Sequence, residues 1–238
     1  MPRRNALIAS IEPELWAQFH DHFKPMEFEG GRDLHRPGDE INLVQFPTTA
    51  LIALGVETVA GESVKVALLG HEGAVGAFEA CGSRQISYRA TVQFGGLVWQ
   101  SPAQSYRALY EASASLRSAV HRHMESLLAE ARQHAACNAL HGVENRLART
   151  LLDACDKSDS LKLPITQQAL SELLGVQRTT IAAAMASLQR DGSIRTDRGR
   201  GVEVLDYKGL EAVTCSCRDS LAFARHDIES RRAETCAS

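Results

Sequence analysis

The sequence predicts an α+β chain: an N-terminal cupin-like antiparallel β-roll, a long dimerisation helix and a C-terminal winged helix-turn-helix. Three observations carry that expectation. Glycine and proline cut residues 26–102 into short β-leaning runs, and they nearly vanish over 105–152. Beyond that, two short helical patterns around Gly175 lead into a basic hairpin.

The bulk numbers set the frame. A chain of 238 residues fits two modest domains, and 44% hydrophobic with 23% charged residues is ordinary for a globular protein with real cores. A net charge of −3 gives no whole-chain attraction to nucleic acid, so any DNA-reading surface has to concentrate its basic residues on one face. No stretch approaches the roughly 20 apolar residues that span a bilayer. Glu12 and Pro13 cut the N-terminal apolar run short of a secretory segment. Six cysteines are too sparse for a disulfide scaffold. The expectation is a cytoplasmic protein with reduced thiols and no membrane partner.

Taken in order, residues 7–23 read as one helical lead-in, with Leu7, Ile8, Ile11, Leu15 and Phe19 at helical spacing. Runs at 41–46, 51–59, Ser63–Leu69 and 88–98 read as strands of a barrel or roll. Over 105–152 Ala, Leu, Arg and Glu dominate, and one long helix is expected before a hinge at Gly142. Its stripe Leu116, Val120, Met124, Leu127, Ala131 and Ala135 needs a partner, and a narrow apolar seam of that length fits a twofold homodimer contact. The alternative is that the stripe packs on its own β-domain. Gly142 is the natural hinge. The expected domains are therefore 1–103 (β-roll sensor), 104–141 (dimerisation helix and hinge), 142–212 (winged helix-turn-helix) and 213–238 (tail).

The helix-turn-helix is the most explicit pattern. Val143, Leu147, Leu151 and Leu152 mark a helix that ends in a polar run. Thr166 follows as an N-cap whose hydroxyl can take an unpaired backbone N–H. Residues 167–174 form a short helix stopped by Gly175, and a second helix from about Gln177 turns Ile181, Ala184 or Met185, and Leu188 inward. That second helix presents Gln177, Arg178, Thr179 and Thr180 at its N-terminal end, the end that enters the major groove in this motif. Arg178 suits a guanine, because its fork matches the O6/N7 pair, and Thr180 suits a phosphate. A hairpin then carries Arg195, Arg198 and Arg200 as a wing. Between Gln177 and Arg200 lie five arginines and two aspartates, a local net of +3. The plainer alternative is a small helical domain with a solvated basic hairpin.

The runs VENRLARTLL (143–152), LPITQQALSELLGV (163–176), RTTI (178–181), GSIR (192–195) and RGR (198–200) resemble the Crp/Fnr family of the cyclic-AMP receptor protein and FNR. The resemblance is specific over 143–210 and looser over the rest. It implies a transcription regulator, a homodimer on a roughly palindromic double-stranded DNA operator. It also implies an effector sensed in a cyclic-nucleotide-binding-like β-roll, and RNA polymerase as a further partner. Two departures matter. Thr179 and Ala183 stand where the reading helix commonly has Glu and a second Arg, so a different half-site is expected. The nearest match to the cyclic-nucleotide pocket is Gly76-Ala77 with Tyr88-Arg89, which lacks the ribose carboxylate and holds its arginine one place late, turned to the other strand face. Cyclic AMP is therefore not expected. An FNR-type iron–sulfur centre is not expected either, since the first cysteine is Cys81.

No cofactor is assigned, but one set of ligands stands out. Cys137 and His141 are four apart, on one face if the helix runs through the hinge, and Cys215 and Cys217 supply two more soft donors. Together they suit zinc or a redox-sensitive thiol site, although nothing in the sequence brings the pairs together. The alternative is that Cys137 packs as an apolar side chain and the other two are incidental. An enzyme is not expected: the strands lack a His-x-His cupin cluster, and no phosphate loop or nucleophile elbow appears.

Overall fold

The chain begins with two short helices, α1 (Ala6–Ala9) and α2 (Pro13–Phe19), where apolar spacing predicts a single lead-in. The break has a local cause. Pro13 has no N–H to give a preceding turn, so it starts a helix rather than continuing one. Asn5 fixes the first helix: its Oδ1 accepts from the N–H of Leu7 (3.1 Å) and Ile8 (3.3 Å), and its Nδ2 donates to the carbonyls of Pro47 and Gly73. A fully buried amide with every bond satisfied anchors the N-terminus into the β-domain.

The structure, a computed structural model, describes residues 2–59, 63–197 and 201–235. Contacts divide the chain into two units, Met1–Gly61 with Leu68–Met124, and Glu62–Ala67 with Glu125–Ser238. The strands of the β-domain are β1 (Lys24–Phe28), β2 (Asp33–His35), β3 (Leu43–Pro47), β4 (Leu51–Glu57), β5 (Ser63–Leu69), β6 (Arg89–Phe94) and β7 (Gly96–Pro102). They form sheets in the orders β1-β7-β3 and β2-β6-β4-β5, with antiparallel pairing of β1, β3 and β7 and of β2, β4 and β6. The expected strand at 88–98 is in fact two, parted at Gly95. Strands β1 and β2 carry no alternating apolar signal and were not expected: four of the five residues of β1 are exposed.

The expected long helix is two, and the helix expected after the Gly142 hinge is present. After α3 (Ala103–Ala112) the chain extends at Ser113 and restarts as α4 (Ala114–Leu140); α5 (Val143–Ser158) follows Gly142, its N-cap. Glu12, far away in sequence, caps α4: its carboxylate accepts from the Ser113 hydroxyl and from the Ser115 backbone N–H at 3.2 Å. Burial would raise its pKa, but those hydrogen bonds outweigh it and hold the carboxyl at about 2.

Two residues of the expected seam are already covered within the chain. Leu116 and Val120 have no exposed surface within one chain, so neither is available to a second copy. An apolar stripe shows that a face must be covered, not what covers it. The division by contacts falls inside α4, after Met124. Met124 and Leu127 are half-buried, while Leu128 and Ala131 are exposed, which leaves an i, i+3, i+4, i+7 face further along the helix.

In the second unit α5 is followed by β8 (Lys162–Leu163), α6 (Gln167–Leu174), α7 (Arg178–Arg190), β9 (Ile194–Asp197), β10 (Gly201–Val204), α8 (Tyr207–Val213) and α9 (Cys217–Thr235). Residues expected to be a plain tail thus contain a helix.

Candidate nucleic-acid interface and thiol cluster

The local sequence builds the helix pair of the second unit as expected. Thr166 caps α6 by accepting from the Ala169 N–H at 3.1 Å. Gly175 ends α6 at φ +61°, the left-handed region that a side chain disfavours. Helix α7 buries Ile181, Ala184, Met185 and Leu188, so both residues left open at the second inward position face the core. Its opposite, N-terminal end is bare: Gln177, Arg178, Thr179 and Thr180 are all exposed. No acidic residue occupies the first turn, and among the described residues Arg178 has no ion-pair partner. An exposed cation at the positive end of a helix is arranged to meet an anion, because the unpaired N–H groups there add to its field.

The wing is a three-stranded sheet in the order β8-β10-β9, one strand more than the expected hairpin. Gly201 lets β10 approach β8, since a Cβ there would lie 2.6 Å from the Leu163 carbonyl oxygen. Arg195 is on this sheet but is committed: its guanidinium meets Glu203 at 2.5 Å, so its charge is partly cancelled. Arg198 and Arg200 lie outside the described residues.

Of the four residues expected around an effector, Tyr88 meets Gly76, while Arg89 is engaged elsewhere. Tyr88 turns to the Glu79 carboxylate and the Gly76 backbone, and burial pushes its pKa well up. Ala77 is buried. Arg89 points elsewhere, to Asp33 at 2.7 Å and Glu57 at 2.6 Å. The Arg89 hydrogen bonds hold the Asp33 carboxyl at about 2. An arginine shared by two carboxylates offers little to a phosphate.

The cysteine and histidine pairs, by contrast, come together. The Sγ atoms of Cys137 and Cys215 are 3.4 Å apart, as are Cys217 Sγ and His141 Nδ1, and all four donor atoms lie within 4.8 Å of one another. The His141 N–H donates to the Cys137 carbonyl at 3.1 Å, so the helical turn reaches His141 and stacks the two side chains. Cys215 and Cys217 bracket the start of α9. All three cysteines are buried, and none is in a disulfide. Burial, with Cys215 as hydrogen-bond partner, pushes the Cys137 thiol up to about 12.

A second polar arrangement was not visible in the sequence. His134 Nε2 lies 2.7 Å from Arg149 Nη1, and His134 Nδ1 lies 3.1 Å from the Val66 carbonyl oxygen. Guanidinium can only donate and a carbonyl can only accept, so the ring is neutral with its proton on Nδ1. Burial, then the Arg149 charge, lowers its pKa below 6.5, against weaker opposing effects of the Val66 carbonyl, Glu130 and Asp153. Below pH 6.5 the unfolded chain takes up a proton that the folded chain resists, so stability falls as pH drops through that window and is level above it. His134→Gln keeps a donor and an acceptor but does not titrate. Thermal melts between pH 5 and 7.5 are expected to show a shallower decline for it than for the wild type; parallel curves would remove His134 as the cause.

Residues 145–213 match the family of Crp-like helix-turn-helix domains. No curated protein sequence matches the chain. Solved structures of similar fold include the c-di-GMP responsive global regulator CLP of Xanthomonas campestris (TM-score 0.64, 18% identity, 81% of this chain and 99% of that one). A CRP/FNR-family transcriptional regulator of Thermus thermophilus gives 0.64 and 22% over 80% and 97%. FixK2 of Bradyrhizobium japonicum gives 0.69 and 12% over 81% and 98%. At such identities the likeness is one of fold. Among the described residues no helix is long and apolar enough to cross a membrane.

Proposed function

We propose that this chain, which carries a Crp-like helix-turn-helix domain on the fold of the Crp/Fnr transcription regulators, binds double-stranded DNA sequence-specifically as a homodimer on a roughly palindromic operator. The observation that carries this reading is the division of α7: its core side is fully buried while Gln177, Arg178, Thr179 and Thr180 stand exposed at its N-terminus. In this motif that end reads base edges, with Arg178 suited to guanine and Thr180 to phosphate. Thr166, exposed at the start of α6, is assigned to the same surface. Of the wing cations, Arg198 and Arg200 are assigned to the backbone; Arg195, held by Glu203, contributes less.

The domains this requires are a sensor over 1–103, a connecting helix over 104–141, a reader over 142–212 and a C-terminal segment over 213–238. The role is regulatory rather than enzymatic, in the cytoplasm, with RNA polymerase as a further partner. Cyclic AMP is disfavoured as the effector, because Arg89 is already neutralised by Asp33 and Glu57.

Footprinting on genomic fragments tests the reading. Two protected half-sites one helical turn apart are expected, in a complex that weakens steeply between 50 and 200 mM salt. Protection without paired half-sites would overturn it.

The dimer contact is assigned to Met124, Leu127 and Ala131, with exposed Leu128 beside them and without Leu116 and Val120. Leu127→Glu is expected to give monomers with poor operator affinity, read by sedimentation and gel shift. Dimers that survive it would place the contact elsewhere.

A further inference from the structure

We propose that Cys137, His141, Cys215 and Cys217 form a tetrahedral metal site for a single zinc-type ion, which closes the winged-helix segment on itself. The site goes beyond the DNA-binding reading and would exist in a chain that bound no DNA.

The geometry decides between the uses such a cluster can have. Around one zinc ion, bonds of about 2.3 Å to sulfur and about 2.0–2.1 Å to nitrogen put neighbouring donor atoms roughly 3.5–3.8 Å apart. The two closest pairs here are 3.4 Å apart and no pair exceeds 4.8 Å, so small side-chain shifts bring all four onto one ion. A disulfide needs sulfurs at about 2.05 Å, and the Cys137–Cys215 separation is well outside that. An iron–sulfur cluster places several metal atoms between its ligands and needs a wider cage. Three thiolates and one imidazole are a donor set that soft or borderline cations select over magnesium or calcium.

Simple apolar packing of thiols explains less. It accounts for buried cysteines, but not for a ring nitrogen turned toward Cys217 or for the two arginines beside them. Arg146 and Arg149 are nearly buried, and the Nε of each has no hydrogen-bond partner among the described residues. The Cys137 sulfur interacts electrostatically with both, and Cys215 with Arg146. Binding a dication to three thiols and a neutral imidazole releases three protons and leaves a net charge of −1 at the site. Buried guanidinium groups are the counter-charge such a site requires.

The position in the chain gives the site its consequence. Cys137 and His141 precede α5, and Cys215 and Cys217 follow α8, so the ligand pairs bracket everything from α5 to α8. One ion therefore ties the two ends of the helix-turn-helix and wing together. Closing a long loop restricts the unfolded chain most, and a structural ion contributes its binding free energy to folding.

The test uses the full chain, purified under argon without chelator. Elemental analysis is expected to find one zinc per chain in the wild type and in Cys81→Ser, whose exposed thiol lies outside the cluster. If the preparation is metal-free, added Zn(II) is expected to be bound in competition with a chromophoric chelator. Cys217→Ser should weaken that binding by at least about 10–100-fold, the loss typical of removing even an outer partner of a ligand. Cys217→His, which restores a donor, should recover part of it and guard against simple misfolding. Chelation should lower Tm by on the order of 5–10 °C in the wild type and in Cys81→Ser, but not in Cys217→Ser. The proposal is overturned if the wild type neither contains nor binds zinc, or if Cys217→Ser retains it unchanged. It is equally overturned by a Cys137–Cys215 disulfide or stoichiometric iron and sulfide in the anaerobic protein.

Discussion

Lys157→Met is expected to destabilise the second unit by about 3–5 kcal/mol, the cost of leaving a buried carboxylate without its cation. Lys157 Nζ stands 3.1 and 3.0 Å from the two oxygens of Glu130, and the side chains are only 8% and 6% exposed. The pair joins α4 to α5. At this depth the charges interact through protein rather than water, so the ion left behind bears a desolvation penalty that solvent no longer offsets. Removing both charges is a different experiment. The double variant Glu130→Leu with Lys157→Met leaves no stranded ion and is expected to lie within about 1 kcal/mol of the wild type, or above it. Urea unfolding of the two single variants and the double variant forms a closed cycle. If the single and double variants lose the same stability, the pair is not the source of the effect. A small loss in Lys157→Met would mean that water reaches Glu130.

That pair also marks where sequence reasoning stops. The helix-turn-helix was legible because its signals are local. Thr166 caps three residues ahead, Gly175 supplies a backbone conformation few residues tolerate, and Ile181, Met185 and Leu188 repeat within one helix. The β-domain was legible only in outline, since β1 exposes most of its side chains and shows no alternation. The cap on α4 comes from Glu12, a residue about a hundred positions earlier, which no local pattern announces. Leu116 and Val120 are apolar as expected and already covered within one chain, because periodicity is silent about the surface that meets it. The thiol cluster was half legible: spacing put Cys137 over His141, but only the fold brings in Cys215 and Cys217. Interactions within one turn of helix can be read in advance. Interactions that need two distant segments to meet cannot.

The exposed N-terminal end of α7, proposed to read DNA, carries the other large expectation. Arg178→Ala should lower affinity for the preferred operator by about 1–3 kcal/mol, roughly 5- to 150-fold, and relax the preference at one base pair in each half-site. The side chain is exposed at the helix start and has no ion-pair partner among the described residues, so folding should change by no more than about 0.5 kcal/mol. This separates it from a structural residue such as Ile181, which is wholly buried. Arg178→Lys sharpens the test. It keeps the charge and loses the planar fork, so it should retain non-specific affinity while losing most of the base discrimination. Thr180→Ala, by contrast, should weaken every sequence alike, because a phosphate contact carries no sequence information. Binding to a randomised operator library at two salt concentrations distinguishes these outcomes. If Arg178→Ala weakens specific and non-specific DNA equally, the guanidinium meets the backbone, and base reading passes to Gln177 and Thr179 on the same exposed turn.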